Sequence, residues 1–294
     1  MSANTHIWDG GGADAIYTTA ANWQGDAAPE AGDSVILPAG NAKPIDGLTP
    51  NATALVTATI QPGYTGAVGS MTDGLPAPLQ LCATTFNLSG GGASHLDLKA
   101  NGTSTCNVAG AAGSPGTGRF GLSLTSADAI ANLNIDLDNG QSVGVAALAG
   151  QTASFTSINI DGSGSVTLGE GLTTTAITIA GNGTVRIRCA HATLTISGSP
   201  TVYIESGGIT TLIALGGRVF NNTTGTIVAT TIFPGASVIC TDGPQARAMT
   251  TITNYGGLFD DSNAHTTWTA INRYCGDDCF KLGSNWKMGA RAAI

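Results

Sequence analysis

"ITIAGNGTVRIRCAHATLTISGSPTVYI" (residues 177–204) states one pattern twice. Ile177-x-Ile179, a turn of small residues and Val185-x-Ile187 are followed by Leu194-x-Ile196, a second such turn and Val202-x-Ile204. Apolar and polar residues alternate within each short run, the two-residue period of a strand with one buried face. The second unit repeats the first in the same internal register, with almost no charge between them.

The pattern extends in both directions. With Ile179 as reference, matching positions fall at Ile160, Ile179, Ile196, Ile213, Ile232 and Ile252, in steps of 19, 17, 17, 19 and 20 along the chain. Six positions after each stands a second apolar residue: Val166, Val185, Val202, Val219, Val238 and Leu258. Four after each stands Gly164, Gly183, Pro200, Gly217, Ala236 or Gly256, residues that suit a turn. Such a period, with short strands and small-residue corners, is what a parallel β-solenoid needs: each coil stacks about 4.8 Å above the last and the two apolar columns form an inner ladder. A leucine-rich repeat has a similar period but needs its own consensus and a helical segment, and neither occurs. A β-sandwich would show hairpin signals instead of columns in register.

Composition points the same way. Gly numbers 42, only 10% of residues are charged and 5% aromatic, while 42% are hydrophobic. A core of β-branched and small residues, with few helix formers, predicts an all-β chain. The upstream stretches 86–98, 119–148 and 156–168 keep the strand, Gly-turn, strand order at wider spacing. The expectation is a right-handed, single-stranded parallel β-helix of about 17–20 residues per coil, capped at both ends. Residues 1–79 would form the N-terminal cap and first irregular coils, 80–260 the solenoid, and 261–294, which leave the repeat, a C-terminal cap or arm.

Function is narrowed by charge and by what is missing. The net charge of −8 and pI of about 4.7 leave no basic surface for nucleic acid. No apolar run approaches the ~18 residues of a membrane span, and the first residues lack the charged and apolar regions of a signal peptide. The expected site of synthesis is therefore the cytoplasm. Six cysteines make no paired zinc spacing; Cys275-Gly-Asp-Asp-Cys279 is their one close pair, read as free thiols or a local disulfide. The four histidines form no metal motif, and no nucleophile elbow or phosphate loop is present. Asp136, Asp138 and Asp161 are the best acidic cluster, which a glycosidase would need as paired carboxylates, but no aromatic platform or basic partner adjoins it in sequence. The expectation is no catalysis, no cofactor and no metal.

Outward columns offer contact surface. The residues after each second-strand apolar position read Thr167, Arg186, Tyr203, Phe220, Ile239 and Phe259, so Tyr203, Phe220, Ile239 and Phe259 form an outer apolar stripe. A stripe of that size calls for a partner. The tail adds Trp268, Lys281, Trp286 and Lys287 as candidate contacts. A further outer column, Asn159, Thr178, Thr195, Leu212, Thr231 and Thr251, lacks the paired threonines of an ice-binding face.

Two N-terminal stretches carry a resemblance. "IWDGGGADAIYTTAANWQGDAAPEAGDSVILP" (7–38) resembles the W-x-G-G…ANW-x-G…P-x-x-GD-x-V-x-x-P opening of β-helical proteins of tailed bacteriophages and of bacterial surface β-solenoids, and "ATIQPGYTGAVGS" (58–70) resembles the step that follows it in phage-encoded members. The resemblance implies a structural virion component: a capsid decoration or cement protein, or a fibre-like part. With the apolar stripe packed against other subunits, the expectation is a homotrimer on the outer capsid surface, in contact with the major capsid protein or another virion protein. Alternatives are a tailspike-like protein that binds or degrades polysaccharide, with the Asp136, Asp138 and Asp161 cluster as its site, and a bacterial surface adhesin.

Overall fold

The computed structural model describes residues 4–46, 53–72, 75–90, 94–110, 119–124, 129–147, 152–240 and 247–283. It is all-β, and its strands stack in parallel as solenoid coils of roughly 19 residues. Two compact units divide the chain, Met1–Leu172 and Thr173–Ile294. Among the described residues no helix is long and apolar enough to cross a membrane.

In the first unit one stack runs through Thr5–Ile7, Ser34–Leu37, Ala54–Ile60, Leu79–Leu88, Ser94–Ala109, Ala129–Leu137 and Ala153–Gly162, each parallel to the next. Leu79–Leu88 and Ser94–Ala109 shift register partway along. Their first halves join a second stack with Arg119–Leu124, Ser142–Ala147 and Ser165–Leu168. The parallel pairing therefore already runs from Thr5, within the stretch expected to hold the cap and first irregular coils.

The N-terminal motif is the means by which that first coil is closed. Trp8 and Trp23 are fully buried and pack edge to face at 5.2 Å, with Tyr17 edge-on to Trp23 at 5.1 Å. Trp23 Nε1 donates to the Tyr17 carbonyl at 2.7 Å. Asn22 accepts from Gly12 N–H and donates to Asp14, and a Cβ on Gly12 would lie 2.7 Å from that Asn22 oxygen. Asp33 accepts from the backbone N–H of Glu30 and of Asn4, and faces His6 Nε2 at 3.0 Å. Those two backbone donors first, opposed by partial burial and then helped by His6, hold its carboxyl below the usual range. In the second motif the Tyr64 hydroxyl donates to the Lys43 carbonyl, and a Cβ on Gly66 would meet that carbonyl oxygen at 2.3 Å. The motif residues are thus spent on local closure.

The second unit is more regular. Its longer strands are Leu172–Ile179, Ala190–Ile196, Ile209–Ala214, Ile227–Ile232, Arg247–Asn254 and Thr266–Arg273. Its shorter ones are Thr184–Ile187, Thr201–Ile204, Arg218–Asn221, Ser237–Ile239, Leu258–Asp261 and Phe280–Leu282. The coil register runs on to Leu282, so residues up to there do not leave the repeat. Trp286 and Lys287 lie outside the described residues.

Inner files run up each sheet of this unit. Val185, Val202, Val219 and Val238 are paired in sequence and buried. In the longer strands one file is Ile177–Leu194–Leu212–Thr230–Ile252 and the next is Ile179–Ile196–Ala214–Ile232–Asn254. Ile160 and Val166 are inward in the first unit, 5% and 2% exposed.

Three of the ladder positions expected from spacing are corrected. Ile213 pairs with Thr195 and faces outward, half-buried, while Leu212 turns in. The step from Ile204 to Ile209 is one residue longer than the equivalent step from Ile187 to His191, and the step from Ala214 to Val219 is one shorter than that from Ile196 to Val202. The valine column keeps an even step while the strand between slips by one, and a one-residue slip exchanges faces. Ile252 is inward but pairs with Thr230, one file over from Ile232. Leu258 pairs with Ser237 on the outer side, and Phe259, fully buried, takes the inner place opposite Val238. The partner of Ile232 is Asn254, a buried polar residue. Its side chain accepts from Gly256 and Gly257 N–H, both at 3.0 Å, and donates to the Gly257 and Cys279 carbonyls. Asn254 belongs inside because it is nearly saturated there.

Candidate interaction surface

Outside the valine file of the second unit runs the column Arg186–Tyr203–Phe220–Ile239–Asp260–Lys281. Phe259 is not part of it. Tyr203 and Phe220 stack with ring centroids 5.0 Å apart and planes 13° apart, the spacing that coil stacking imposes on equivalent side chains. Both rings, and Ile239, are half-buried. The guanidinium of Arg186 lies 4.5 Å from the Tyr203 centroid and that of Arg218 lies 5.4 Å from Phe220. Cations over the rings cover part of the stripe from within the chain. Arg186 and Arg188 both pair with Glu205 on the next coil. Partial burial pushes the Glu205 carboxyl up, but the hydrogen bonds from Arg188 and Arg186 and their charges prevail and hold it below its usual range. At the column's far end Lys281 is exposed, opposite Asp260.

A more exposed file lies at the corner just beyond the longer strands. Leu215, Phe233, Tyr255 and Tyr274 each donate a backbone N–H to the inner-file residue of the coil before, namely Ile196, Ala214, Ile232 and Asn254. They therefore occupy one place on successive coils. Phe233 and Tyr255 stack at 5.2 Å, and Tyr255 and Tyr274 at 4.9 Å, with planes 20° and 11° apart. Leu215 and Tyr255 are each 44% exposed and Tyr274 is 61% exposed, so most of the large hydrophobic residues left open on the described chain stand in this one file. Their recurrence once per coil is the signal the sequence holds, obscured because these positions fall in turns.

Trp268 is half-buried. It pairs with Met249 at the end of the inward file His191–Ile209–Ile227–Met249 and meets Phe259 edge to face at 6.1 Å. It stands at the end of that file, on the last described coil.

The first unit presents a different surface. Asn87, Asn107, Asn134 and Asn159 form an amide ladder, each side chain donating to the one below at 3.0, 2.9 and 2.9 Å. Asp136 and Asp161 sit on neighbouring coils in direct register, exposed, and Asp138 is exposed beyond them. Among the described residues no group of three or more His, Cys, Asp or Glu side chains is placed to hold a metal ion.

Comparison of the chain with family models, with curated proteins and with solved structures finds no match.

Proposed function

We propose that the chain is a structural protein of a bacteriophage particle, attached to the outer capsid surface, which it decorates or cements without catalysing a reaction. The observation that carries this reading is the corner file Leu215–Phe233–Tyr255–Tyr274, an apolar contact on stacked coils and left in solvent. The likeness of residues 7–38 and 58–70 to the opening of phage β-helical proteins supplies the virion context. In this reading the coils act as a stiff spacer, the corner file is the attachment edge, and the partners are two further copies in a homotrimer and the major capsid protein or another virion protein. Tyr203, Phe220 and Ile239, already partly covered by arginines, form a secondary contact.

Immunogold electron microscopy of virions from the source culture tests the location directly. Label on the shell of intact particles is the expected result, and label absent from particles that contain the chain's peptides would overturn it. Sedimentation of the purified protein tests the trimer, and Tyr255→Ser with Tyr274→Ser is expected to weaken both assembly and attachment.

A second reading rests on Asp136 and Asp161, whose register on adjacent coils places two carboxylates side by side. A tailspike-like polysaccharide hydrolase would use such a pair, with Asp138 nearby. New reducing ends from host polysaccharide, abolished by Asp136→Asn, would favour it over a purely structural role.

A further inference from the structure

The corner that follows Tyr274 holds two neighbouring thiols. Cys275 precedes the short turn Asp277–Cys279 and Cys279 ends it, which sets the Cys279 thiol beside that of Cys275. Other ties fold this corner. Arg273 pairs with Asp277 and its guanidinium lies 5.2 Å from the centroid of the Phe280 ring. Cys279 N–H reaches the Gly276 carbonyl at 3.4 Å, and Asn254 donates to the Cys279 carbonyl at 3.3 Å. The turn that carries the two cysteines therefore has its own reasons to close. They are also the accessible ones: Cys82, Cys106, Cys189 and Cys240 are buried, whereas Cys275 and Cys279 are partly exposed.

We infer that Cys275 and Cys279 are a modification site, a dithiol that a low-molecular-weight disulfide such as oxidised glutathione converts to an intramolecular bridge. One protein thiolate attacks a sulfur of oxidised glutathione and expels glutathione thiolate, leaving a mixed disulfide. The second protein thiolate attacks the protein sulfur of that mixed disulfide and expels the other glutathione. Two protein S–H groups are oxidised, and one glutathione disulfide is reduced to two thiols. Closure to a bond of about 2 Å asks for side-chain rotation on a partly exposed turn. Desolvation first, then the neighbouring Cys279, push the Cys275 thiol up to about 11, which makes exchange slow at neutral pH and faster in alkaline buffer. The bridge would clip the corner joining Thr266–Arg273 to Phe280–Leu282, and so fix the coil that ends the described chain. The inference does not depend on the virion role.

The test uses the full chain, incubated with oxidised glutathione at mildly alkaline pH, alkylated and digested with trypsin without reduction. Cleavage after Arg273 and Lys281 releases both thiols in one peptide, 274–281. The expected result is that peptide lighter by about 2 Da and unalkylated, with the thiol titre of the unfolded protein falling from six to four. In Cys275→Ser, Cys279 has no partner and is expected to keep a glutathione adduct. A wild-type peptide that retains two alkylated thiols, accumulates a stable glutathione adduct or cross-links two chains would overturn the inference.

Discussion

The two units clothe the same kind of backbone in opposite ways. Parallel stacking brings like residues to one height per coil, and whatever stands at an outer position is repeated against itself. In the first unit the repeated residue is asparagine, and each amide donates to the next along Asn87, Asn107, Asn134 and Asn159. That file satisfies much of its own polar capacity. In the second unit the repeated residues at the corner are Phe233, Tyr255 and Tyr274, whose rings stack but still leave Tyr274 61% exposed. Stacked rings gain dispersion and burial from one another without covering their outer edges. The first unit is finished as a surface; the second retains apolar area that a partner could bury.

The largest expected effect tests which residues of the second unit are truly inside. Phe259→Ala should cost about 3–5 kcal/mol, since it empties a fully buried inner site. Phe220→Ala on the outer column should cost about 1 kcal/mol. Denaturant melts of the two variants compare them directly, and equal losses would contradict the assignment of faces. Next comes the amide ladder. Asn134→Ala removes a donor to Asn107 and an acceptor for Asn159, and should cost about 1–2 kcal/mol in the same assay.

A smaller effect has the opposite sign. Thr230 sits in an inner file between Leu212 and Ile252, 1% exposed, with its hydroxyl unpartnered. Thr230→Val keeps the shape and removes the lone polar group, so a gain of about 1 kcal/mol is expected.

The finest distinction is one of pH. His191 is buried between Thr174 and Ile209, its Nδ1 near the Cys189 carbonyl and its Nε2 without a partner. Burial lowers its pKa from 6.5, against a smaller opposing effect of that carbonyl. Below 6.5 the unfolded chain takes up a proton that the folded chain refuses, so this contribution to stability is lost as the pH falls through 6.5 towards the lowered folded value. His191→Ile should flatten the stability profile between pH 7 and 5, and an unchanged slope would show that the ring is not held neutral.

How much of this is readable from the chain alone depends on which residues carry the repeat. Val185, Val202, Val219 and Val238 are legible because strand length and turn length together stay nearly constant between them. Ile213 is not, because two turns trade one residue and leave the total unchanged. Asn254 escapes a search for apolar columns, which skips a polar residue that satisfies itself inside. The amide ladder, with steps of 20, 27 and 25 along the chain, is hidden by uneven turns. The aromatic file is hidden because it stands past the strand ends. The first coil is obscure because its strands are short and its core is supplied by Trp8, Tyr17 and Trp23 instead of aliphatic residues. The acidic pair Asp136 and Asp161 is legible, and their register places them side by side.

The most direct measurement is a cross-link that reads coil register in solution. In a Cys275→Ser, Cys279→Ser background, Thr195→Cys with Ile213→Cys places two thiols at paired positions on adjacent strands, about 4.8 Å apart in backbone, within the range a disulfide spans. Rapid oxidative closure of that pair, with none for Ile196→Cys with Ile213→Cys, is the expected result. Closure of the second pair in place of the first would contradict the stacking on which the inner files and the exposed aromatic edge both rest.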